Sequence, residues 1–231
     1  MSAEKTESVV LSVAPYRETS CILRVFTRSR GLVHGIAKGV RRSGGKSSPT
    51  PLDRGLLLEA LLYHRPNREL HTLGSLHVVN FFHGIRADIT KSALRDVAIE
   101  LCLKSITEPS PHPELFDLLV RFFTGLDCAE TVNTAADNMN AAFLLLWRFI
   151  GGYCEHTGFG IDAQNCKDSG VDSRIVKLIS AESAAGAYNG YSMNDCVNAT
   201  EQLLRYCRRH FDIRAAFNSM EFIRGLGSSP Q

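Results

Sequence analysis

Residues 21–38, CILRVFTRSRGLVHGIAK, decide the fold of the first third of the chain. In residues 21–26 the side chains alternate between two faces, which is the pattern of a half-buried β-strand. A turn at 28–31 follows, and residues 32–38 have the length and composition of a second short strand. This stretch therefore predicts strands rather than helices.

Three further segments, 9–13, 55–63 and 70–78, are also short and are bounded by turn-forming residues. Five short strands at this spacing favour a small closed barrel, because closure leaves no exposed strand edge. A loop over 39–54, rich in Gly, Ser, Pro and Arg, joins the third and fourth predicted strands.

The hydrophobic pattern changes to a helical period after residue 82. Helices are predicted over 88–105, from Ser110 to Gly125, over 135–155, from about Asn194 past Cys207, and over about 213–223. Residues 161–190 are predicted to be irregular. The 231 residues suffice for one large domain or for two to three small ones, so the sequence predicts an α+β protein, a barrel followed by helices.

The distribution of charge is more informative than its total of +2. Hydrophobic residues make up 44% of the chain and charged residues 22%, which is ordinary for a globular protein. Residues 1–85 carry 12 Lys and Arg against 6 Asp and Glu, a net charge of +6, whereas residues 86–231 carry 14 against 18, a net charge of −4. A basic first part favours a module that binds a polyanion, although a chance imbalance on a solvated surface gives the same count.

Basic residues cluster in and beside the 39–54 loop, and they are the candidate phosphate contacts. They are Lys38, Arg41, Arg42, Lys46 and Arg54, with Arg24, Arg28 and Arg30 on the adjoining strand and turn. Small barrels hold single strands by placing charge along the nucleic-acid backbone and aromatic rings against the bases. Tyr16, Phe26 and Tyr63 are the available aromatic residues. The alternatives are a solvated loop for the charges and a place in the barrel core for the rings.

Several other activities lack support in the sequence. Gly45-Lys46-Ser47 is similar to the end of a phosphate-binding loop, but Val40 stands where that motif requires Gly, and no helix follows. No catalytic constellation is found, so an enzyme is not expected. The first eight residues contain no apolar run, and the longest apolar stretch, 141–154, is too short to cross a bilayer. A cytoplasmic protein is therefore expected, with no membrane partner.

The seven cysteines include no C-x-x-C pair, so neither a disulfide framework nor a structural zinc site is expected. Cys154, His156 and Cys166 lie near one another in sequence, but no pair of them has the spacing that structural zinc sites use. Cysteines on the predicted helix faces are expected to act as small buried hydrophobes.

The chain resembles the RecO family of bacterial recombination mediators over nearly its whole length. The similarity is carried by VVLSVAPYRETS at 9–20, Phe26-Thr27 followed by Gly31, AKGVRR at 37–42, LHTL at 70–73, PELF at 113–116, and Arg148-Phe149 through Gly158-Phe159. The first and third of these, at this spacing, are the most specific.

The resemblance implies an oligonucleotide-binding (OB) fold over residues 1–82 and an all-α helical domain over 83–231. It also implies a small zinc-binding insert at about 160–192. The implied function is to bind and anneal DNA, single- and double-stranded, and to help load the RecA recombinase, together with the partner RecR, onto strands coated by single-stranded DNA-binding protein. Such a protein acts on the nucleoid in the RecF pathway of DNA repair.

The chain departs from the family pattern at two places. Cys166 matches the first zinc-binding cysteine, but Ser169 stands where the second is expected, and the second pair is missing at about 185–190. Because serine is not a usual zinc ligand, we expect the metal to have been lost and no cofactor to be bound. Trp147-Arg148 replaces the two arginines that the family often has.

The resemblance also implies a groove on the helical domain for the acidic, apolar-ended tail of single-stranded DNA-binding protein. The candidate residues, which pair a cation with bulky apolar side chains, are Arg121, Phe122, Trp147 and Arg148. The alternative is that the rings are core and the arginines solvated. For the whole chain, the alternative function is an RNA- or ribosome-associated module built on the same barrel.

Overall fold

The chain forms two compact units, seen in a computed structural model. The structure describes residues 2–40, 52–65, 68–107, 109–129, 135–161, 170–180 and 191–227. The barrel unit comprises Met1–Phe82 and Ile106–Val120, and the helical unit comprises His83–Ser105 and Arg121–Gln231.

The barrel has five strands, as the sequence predicts. They are β1 (Ser2–Tyr16), β2 (Ser20–Thr27), β3 (Gly31–Ala37), β4 (Leu57–His64) and β5 (Leu70–Asn80). The order around the barrel is β1-β2-β3-β5-β4, and β4 closes it by pairing with β1. Only the β3–β5 pair is parallel among these strands. The closed barrel and the strand order confirm the predicted OB fold.

Strand β1 is longer than the predicted 9–13 because its first half has no hydrophobic signal. Residues 2–9 pair with β4, and residues 8–16 pair with β2, with a register shift between Val10 and Ser12. Two polar side chains of the first half, Thr6 and Ser8, nevertheless point into the barrel and are buried. The strand is therefore specified by its two partners rather than by its own hydrophobicity.

Residues 106–120 belong to the barrel unit, although the sequence placed all of 83–231 in one helical domain. The Phe116 side chain is 1% exposed and its ring lies 6.0 Å from that of Phe26, centroid to centroid. Gly31, with φ of +67°, leaves room for the backbone of Ser110, which any Cβ at this position would strike. These contacts fix the segment on the barrel.

Seven helices lie within the described residues. They are α1 (His83–Ala87), α2 (Ile89–Ser105), α3 (Pro113–Cys128), α4 (Ala135–His156), α5 (Ser173–Ser180), α6 (Met193–His210) and α7 (Asn218–Gly227). Helices α1 and α5 are absent from the sequence prediction, and α5 falls within the stretch that was expected to be irregular. Helix α3 continues through Gly125, where its end was predicted. None of the described helices is long and apolar enough to span a membrane.

The helical core is built around α4, whose large side chains are almost fully buried. The Trp147 indole donates a hydrogen bond of 2.9 Å to Thr200 Oγ1 on α6, and the hydroxyls of Tyr153 and Ser105 lie 2.7 Å apart. Helix α6 begins with a capping box between Ser192 and Asp195, and these hydrogen bonds lower the pKa of the Asp195 carboxyl. The buried polar side chains of Trp147 and Tyr153 are thus hydrogen-bonded.

Candidate nucleic-acid interface

One outer surface of the barrel carries cations that are not used in the fold. Strands β2 and β3 pair so that Arg24 lies opposite His34 and Ile22 opposite Ile36, and Lys38 follows directly after β3. The alternating residues, such as Leu23, are buried in the barrel. We call the five outward residues the β2–β3 face: Ile22, Arg24, His34, Ile36 and Lys38.

The two cations of the β2–β3 face, Arg24 and Lys38, lack carboxylate partners among the described residues. Lys38 is exposed and has no hydrogen-bond or ion-pair partner among the described residues. Arg24 is half-buried, and its Nε is a buried donor without an acceptor in the part of the chain that the structure describes. An unpaired buried donor of a charged group costs more than about 1 kcal/mol, so an anionic ligand that supplied an acceptor would gain this energy.

Burial lowers the pKa of His34, and the charge of the neighbouring Arg24 lowers it further. A depressed pKa leaves the imidazole neutral at pH 7. Among the histidines and arginines of this strand pair, the positive charge therefore resides on Arg24, with His34 as a neutral hydrogen-bonding group beside it.

A depression of about 640 Å³ adjoins the face at the β1–β2 turn. Its lining consists of Tyr16, Arg17, Glu18, Thr19, Ser20, Ile36 and Lys38. The Arg17 guanidinium carbon lies 5.2 Å from the centre of the Tyr16 ring. In OB folds this turn and the strand 2–3 surface form the ligand site, so the depression extends the β2–β3 face into one continuous candidate interface. The sequence prediction did not single out Arg17 or His34.

Arg28 and Arg30 were predicted to contact phosphates, but the structure pairs both with carboxylates. Arg28 forms two hydrogen bonds with Asp117, of 2.5 and 2.9 Å, and also lies 3.6 Å from Glu7. The Arg30 Nε donates a 2.8 Å hydrogen bond to Glu4. Hydrogen bonds from Ser29 and then from Arg30 lower the pKa of Glu4.

We call this group, Glu4, Glu7, Arg28, Arg30 and Asp117, the carboxylate-paired end of the barrel. Its arginines offset the charge of neighbouring acids and fasten residues 106–120 to the barrel. The prediction that Arg28 and Arg30 contact phosphates therefore finds no support in these contacts, because three carboxylates already surround the two guanidinium groups.

The remaining predicted DNA contacts lie around the 39–54 loop. Arg54 is exposed in the turn before β4, where its backbone N–H donates to Asp53 Oδ1 at 2.7 Å. Arg41, Arg42 and Lys46 lie outside the described residues. Of the three available aromatic residues, Phe26 is fully buried, as the alternative of a place in the barrel core expects, whereas Tyr16 and Tyr63 are partly exposed.

In the helical unit the two aromatic residues predicted to bind a partner tail are core residues. Phe122 is 4% exposed and stacks on Phe149 with ring centres 5.1 Å apart, and Trp147 is 1% exposed. Their assignment to a surface groove is wrong, because an amphipathic helix presents the same sequence pattern whether its rings line a groove or fill a core. Arg121 is exposed, with no partner among the described residues, and Arg148 is half-buried with its Nε 3.4 Å from the Leu178 carbonyl.

The described residues contain no group of three or more His, Cys, Asp or Glu side chains that could hold a metal ion. Cys154, one possible ligand, is fully buried with its sulfur 3.6 Å from that of Cys207. The interaction with Cys154, followed by burial, raises the pKa of Cys207 well above its ordinary value. Cys166 and Ser169, which decide the zinc prediction, lie outside the described residues.

A closed five-stranded OB barrel, with a face whose cations have no carboxylate partner among the described residues, is an architecture typical of nucleic-acid-binding modules. The family model described as "Recombination protein O N terminal" matches residues 1–82, and the one described as "Recombination protein O C terminal" matches residues 86–222. The chain belongs to the RecO family of DNA repair proteins. The family similarity stated from the sequence is thereby confirmed.

Curated relatives agree with the family models. A protein described as "DNA repair protein RecO" from Geobacter metallireducens is 30% identical over 178 residues, which are 76% of this chain and 72% of that protein. Proteins of the same description from Anaeromyxobacter dehalogenans and Syntrophobacter fumaroxidans are 35% and 30% identical over 133 and 149 residues. These two matches cover 56% and 64% of this chain, and they span 50% and 56% of the relatives, about half their length.

Proposed function

We propose that this chain is a recombination mediator that binds and anneals single-stranded DNA and, with RecR, helps load RecA onto strands coated by single-stranded DNA-binding protein. The observation that carries the proposal is the β2–β3 face, on which Arg24 and Lys38 have no carboxylate partner among the described residues. The family membership supports DNA as the polyanion.

The chemistry of the face suits a strand annealer. Lys38 and Arg24 supply charge for phosphates, and Tyr16 and Ile36 supply an aromatic and an apolar surface for bases at the depression. Phosphate contacts and stacking confer affinity without selecting a sequence, because every base has a π-face and every nucleotide a phosphate. A protein that pairs arbitrary complementary strands requires this lack of selectivity. The proposal assigns the chain binding rather than catalysis, with its place of action at the nucleoid in the cytoplasm.

The cations of the 39–54 loop are proposed to bind phosphates of the same strand that contacts the β2–β3 face. Replacing Arg41, Arg42 and Lys46 with Ala should reduce the slope of log affinity against log salt by about two units, since each phosphate contact to a single strand contributes about 0.7. Fluorescence anisotropy with a thymidine oligonucleotide at several salt concentrations measures this slope. An unchanged slope would mean that these residues are solvated and do not contact DNA.

Competition binding tests whether the protein prefers DNA or RNA. DNA and RNA oligonucleotides of equal length and corresponding sequence should be compared as competitors for the labelled DNA strand. The proposal expects DNA to compete at least as well as RNA, and it expects the protein to accelerate annealing of complementary DNA strands. A clear preference for RNA, without annealing of DNA, would instead support the RNA- or ribosome-associated function.

We further propose that the helical unit docks the acidic tail of single-stranded DNA-binding protein through Arg121 and Arg148, without the buried rings of Phe122 and Trp147. Arg121→Glu is the cleaner test, because Arg148 also donates to the Leu178 carbonyl. The change should weaken binding of a tail peptide by roughly 1–3 kcal/mol while DNA affinity stays the same. Unaffected peptide binding by both Arg121→Glu and Arg148→Glu would remove this surface from the site.

A further inference from the structure

Basic residues also cluster at the end of α6 in the helical unit, where the proposed function makes no use of them. The last turns of this helix carry Arg205, Arg208, Arg209 and His210. One of the four has a structural role. Arg208 donates from its guanidinium to the carbonyls of Ile213 and Arg214, at 3.2 and 3.1 Å, and so ties down the chain that leaves the helix.

Arg205 and Arg209 are not explained by the fold. Both are exposed, and neither has a hydrogen-bond or ion-pair partner within the described ranges. They lie four residues apart and therefore on the same side of the helix. Cations favour a helix C-terminus because of the macrodipole, but that effect is confined to the last turn, which contains Arg208, Arg209 and His210. Arg205 lies a turn earlier.

Three rings cluster at the same end of α6, of which Phe159 and His210 are exposed and Tyr206 is buried. His210 lies between Phe159 and Tyr206, with ring centres 5.1 and 4.2 Å away. Tyr206 and His210 each follow one of the two arginines in sequence, so each ring projects about 100° around the helix axis from the preceding guanidinium group. Phe159 is 38% exposed.

Hydrogen bonds fix the position of the Phe159 backbone. Helix α4 ends at His156, and Gly158 follows it with φ of +84°. The Phe159 N–H donates to the Cys154 carbonyl at 2.8 Å, and the Gly158 N–H donates to the Glu155 carbonyl at 3.0 Å. The Tyr206 hydroxyl then donates to the Phe159 carbonyl at 3.0 Å. The exposed ring is thus held in place before any ligand arrives.

We propose that Phe159, Arg205, Arg209 and His210, here called the α6 patch, form a second contact for single-stranded nucleic acid. The arginines bind phosphates and the Phe159 ring stacks on a base, which is the combination that unselective single-strand sites use. Among the described residues around the patch, Asp212 lies 3.6 Å from Arg214, Glu201 is paired with Arg224, and Glu155 adds a negative charge at the end of α4. A chain with two separate strand contacts can hold two strands at once.

The test counts oligonucleotides bound to the full-length chain. Calorimetric titration with a thymidine oligonucleotide of about eight nucleotides, short enough for one site, should give two per chain. Arg205→Ala/Arg209→Ala should reduce this to one. The matched control is Arg174→Ala/Arg224→Ala, which removes the same charge from two arginines of the helical unit that are paired with Asp172 and Glu201. The control should still bind two.

Two further variants separate binding from folding. Arg205→Lys/Arg209→Lys keeps the charge and should retain the second oligonucleotide, and Phe159→Leu keeps an apolar side chain but should weaken that site roughly tenfold. Thermal unfolding of each variant confirms that the helical unit is intact. Arg24→Ala/Lys38→Ala should weaken the other site only, so a failure of the barrel proposal is seen independently.

Several results would overturn the α6 patch as a nucleic-acid contact. The first is a stoichiometry that is the same for Arg205→Ala/Arg209→Ala and for the wild-type chain. The second is a loss that the control variant shares, since this would indicate an effect of net charge alone. The third is a patch variant that loses affinity for an acidic peptide but keeps both oligonucleotides, which would assign the surface to a protein partner.

Discussion

Arg24 and Arg28 stand four residues apart on one β-hairpin, yet they have opposite surroundings. Arg24 lies on the β2–β3 face beside a neutral histidine, and its Nε has no acceptor among the described residues. Arg28, in the turn that follows β2, is held by Asp117 and by Glu7. We propose Arg24 as a ligand contact, whereas the Arg28 guanidinium is already paired with carboxylates of the protein.

This difference shows why a count of charge overstates a binding site. The net charge of +6 in residues 1–85 includes Arg28 and Arg30, but Asp117, which neutralises part of it, lies far along the chain. Long-range ion pairs of this kind cancel local surpluses without leaving a trace in the local sequence. The cations that have no carboxylate partner among the described residues are the ones we propose as DNA contacts.

The largest loss of stability is expected from removing Phe116, the apolar side chain that packs at the carboxylate-paired end. Phe116→Ala deletes a ring that is 1% exposed and packs on Phe26, so the free energy of unfolding should fall by about 3–5 kcal/mol. Phe116→Leu, which keeps most of the volume, should cost considerably less. Urea unfolding measures both, and equal midpoints for the wild type and Phe116→Ala would show that residues 106–120 do not stabilise the barrel.

The ion pair at the same end should have a smaller effect. Arg28 and Asp117 are 47% and 38% exposed, so a double-mutant cycle with Arg28→Ala and Asp117→Ala should give a coupling energy of only about 0.5–1 kcal/mol. DNA affinity of Arg28→Ala should remain within about twofold of the wild type. A tenfold loss of affinity at unchanged stability would instead make Arg28 a DNA contact and erase the difference from Arg24.

The sequence predicted the barrel well because its strands are amphipathic, and it predicted most of the long helices from their helical hydrophobic period. It missed the first half of β1, since residues 2–8 are polar, and it missed helix α5 within a stretch of mixed composition. The site was harder to predict. Whether Trp147 is a groove residue or a core residue depends on Thr200, 53 residues away, and the pairing of Arg28 depends on Asp117, 89 residues away. Contacts of this range leave no periodic signal.

The histidines near the β2–β3 face should give the barrel a modest dependence on pH. The pKa values of His34 and His71 are lowered, in both cases chiefly by burial, so the unfolded chain binds protons at a higher pH than the folded chain does. Stability should therefore be full above about pH 6.5 and should decline as the pH falls below that value. His34→Gln should flatten the decline in thermal midpoint between pH 7 and pH 5, and an unaltered profile would exclude His34 as a contributor.

The smallest effect is expected from removing metal. The zinc site that the family resemblance implies lacks its second cysteine, because Ser169 stands at that position. Elemental analysis of untagged protein should give well under one zinc per chain, and a chelator should change neither the thermal midpoint nor DNA affinity. Stoichiometric zinc would contradict this prediction and would point to Cys154, His156 and Cys166 as ligands. Cys154 would then have to leave its buried contact with Cys207.

The salt dependence of single-strand binding tests the central claim most directly, because it counts phosphate contacts. Two variants with the same loss of charge should be compared, Arg24→Ala/Lys38→Ala on the β2–β3 face and Arg28→Ala/Arg30→Ala at the carboxylate-paired end. The first should reduce the slope of log affinity against log salt by about 1.4 units, at about 0.7 per phosphate, and the second should leave it unchanged. Equal slopes for the two variants, or a loss confined to Arg28→Ala/Arg30→Ala, would contradict the account.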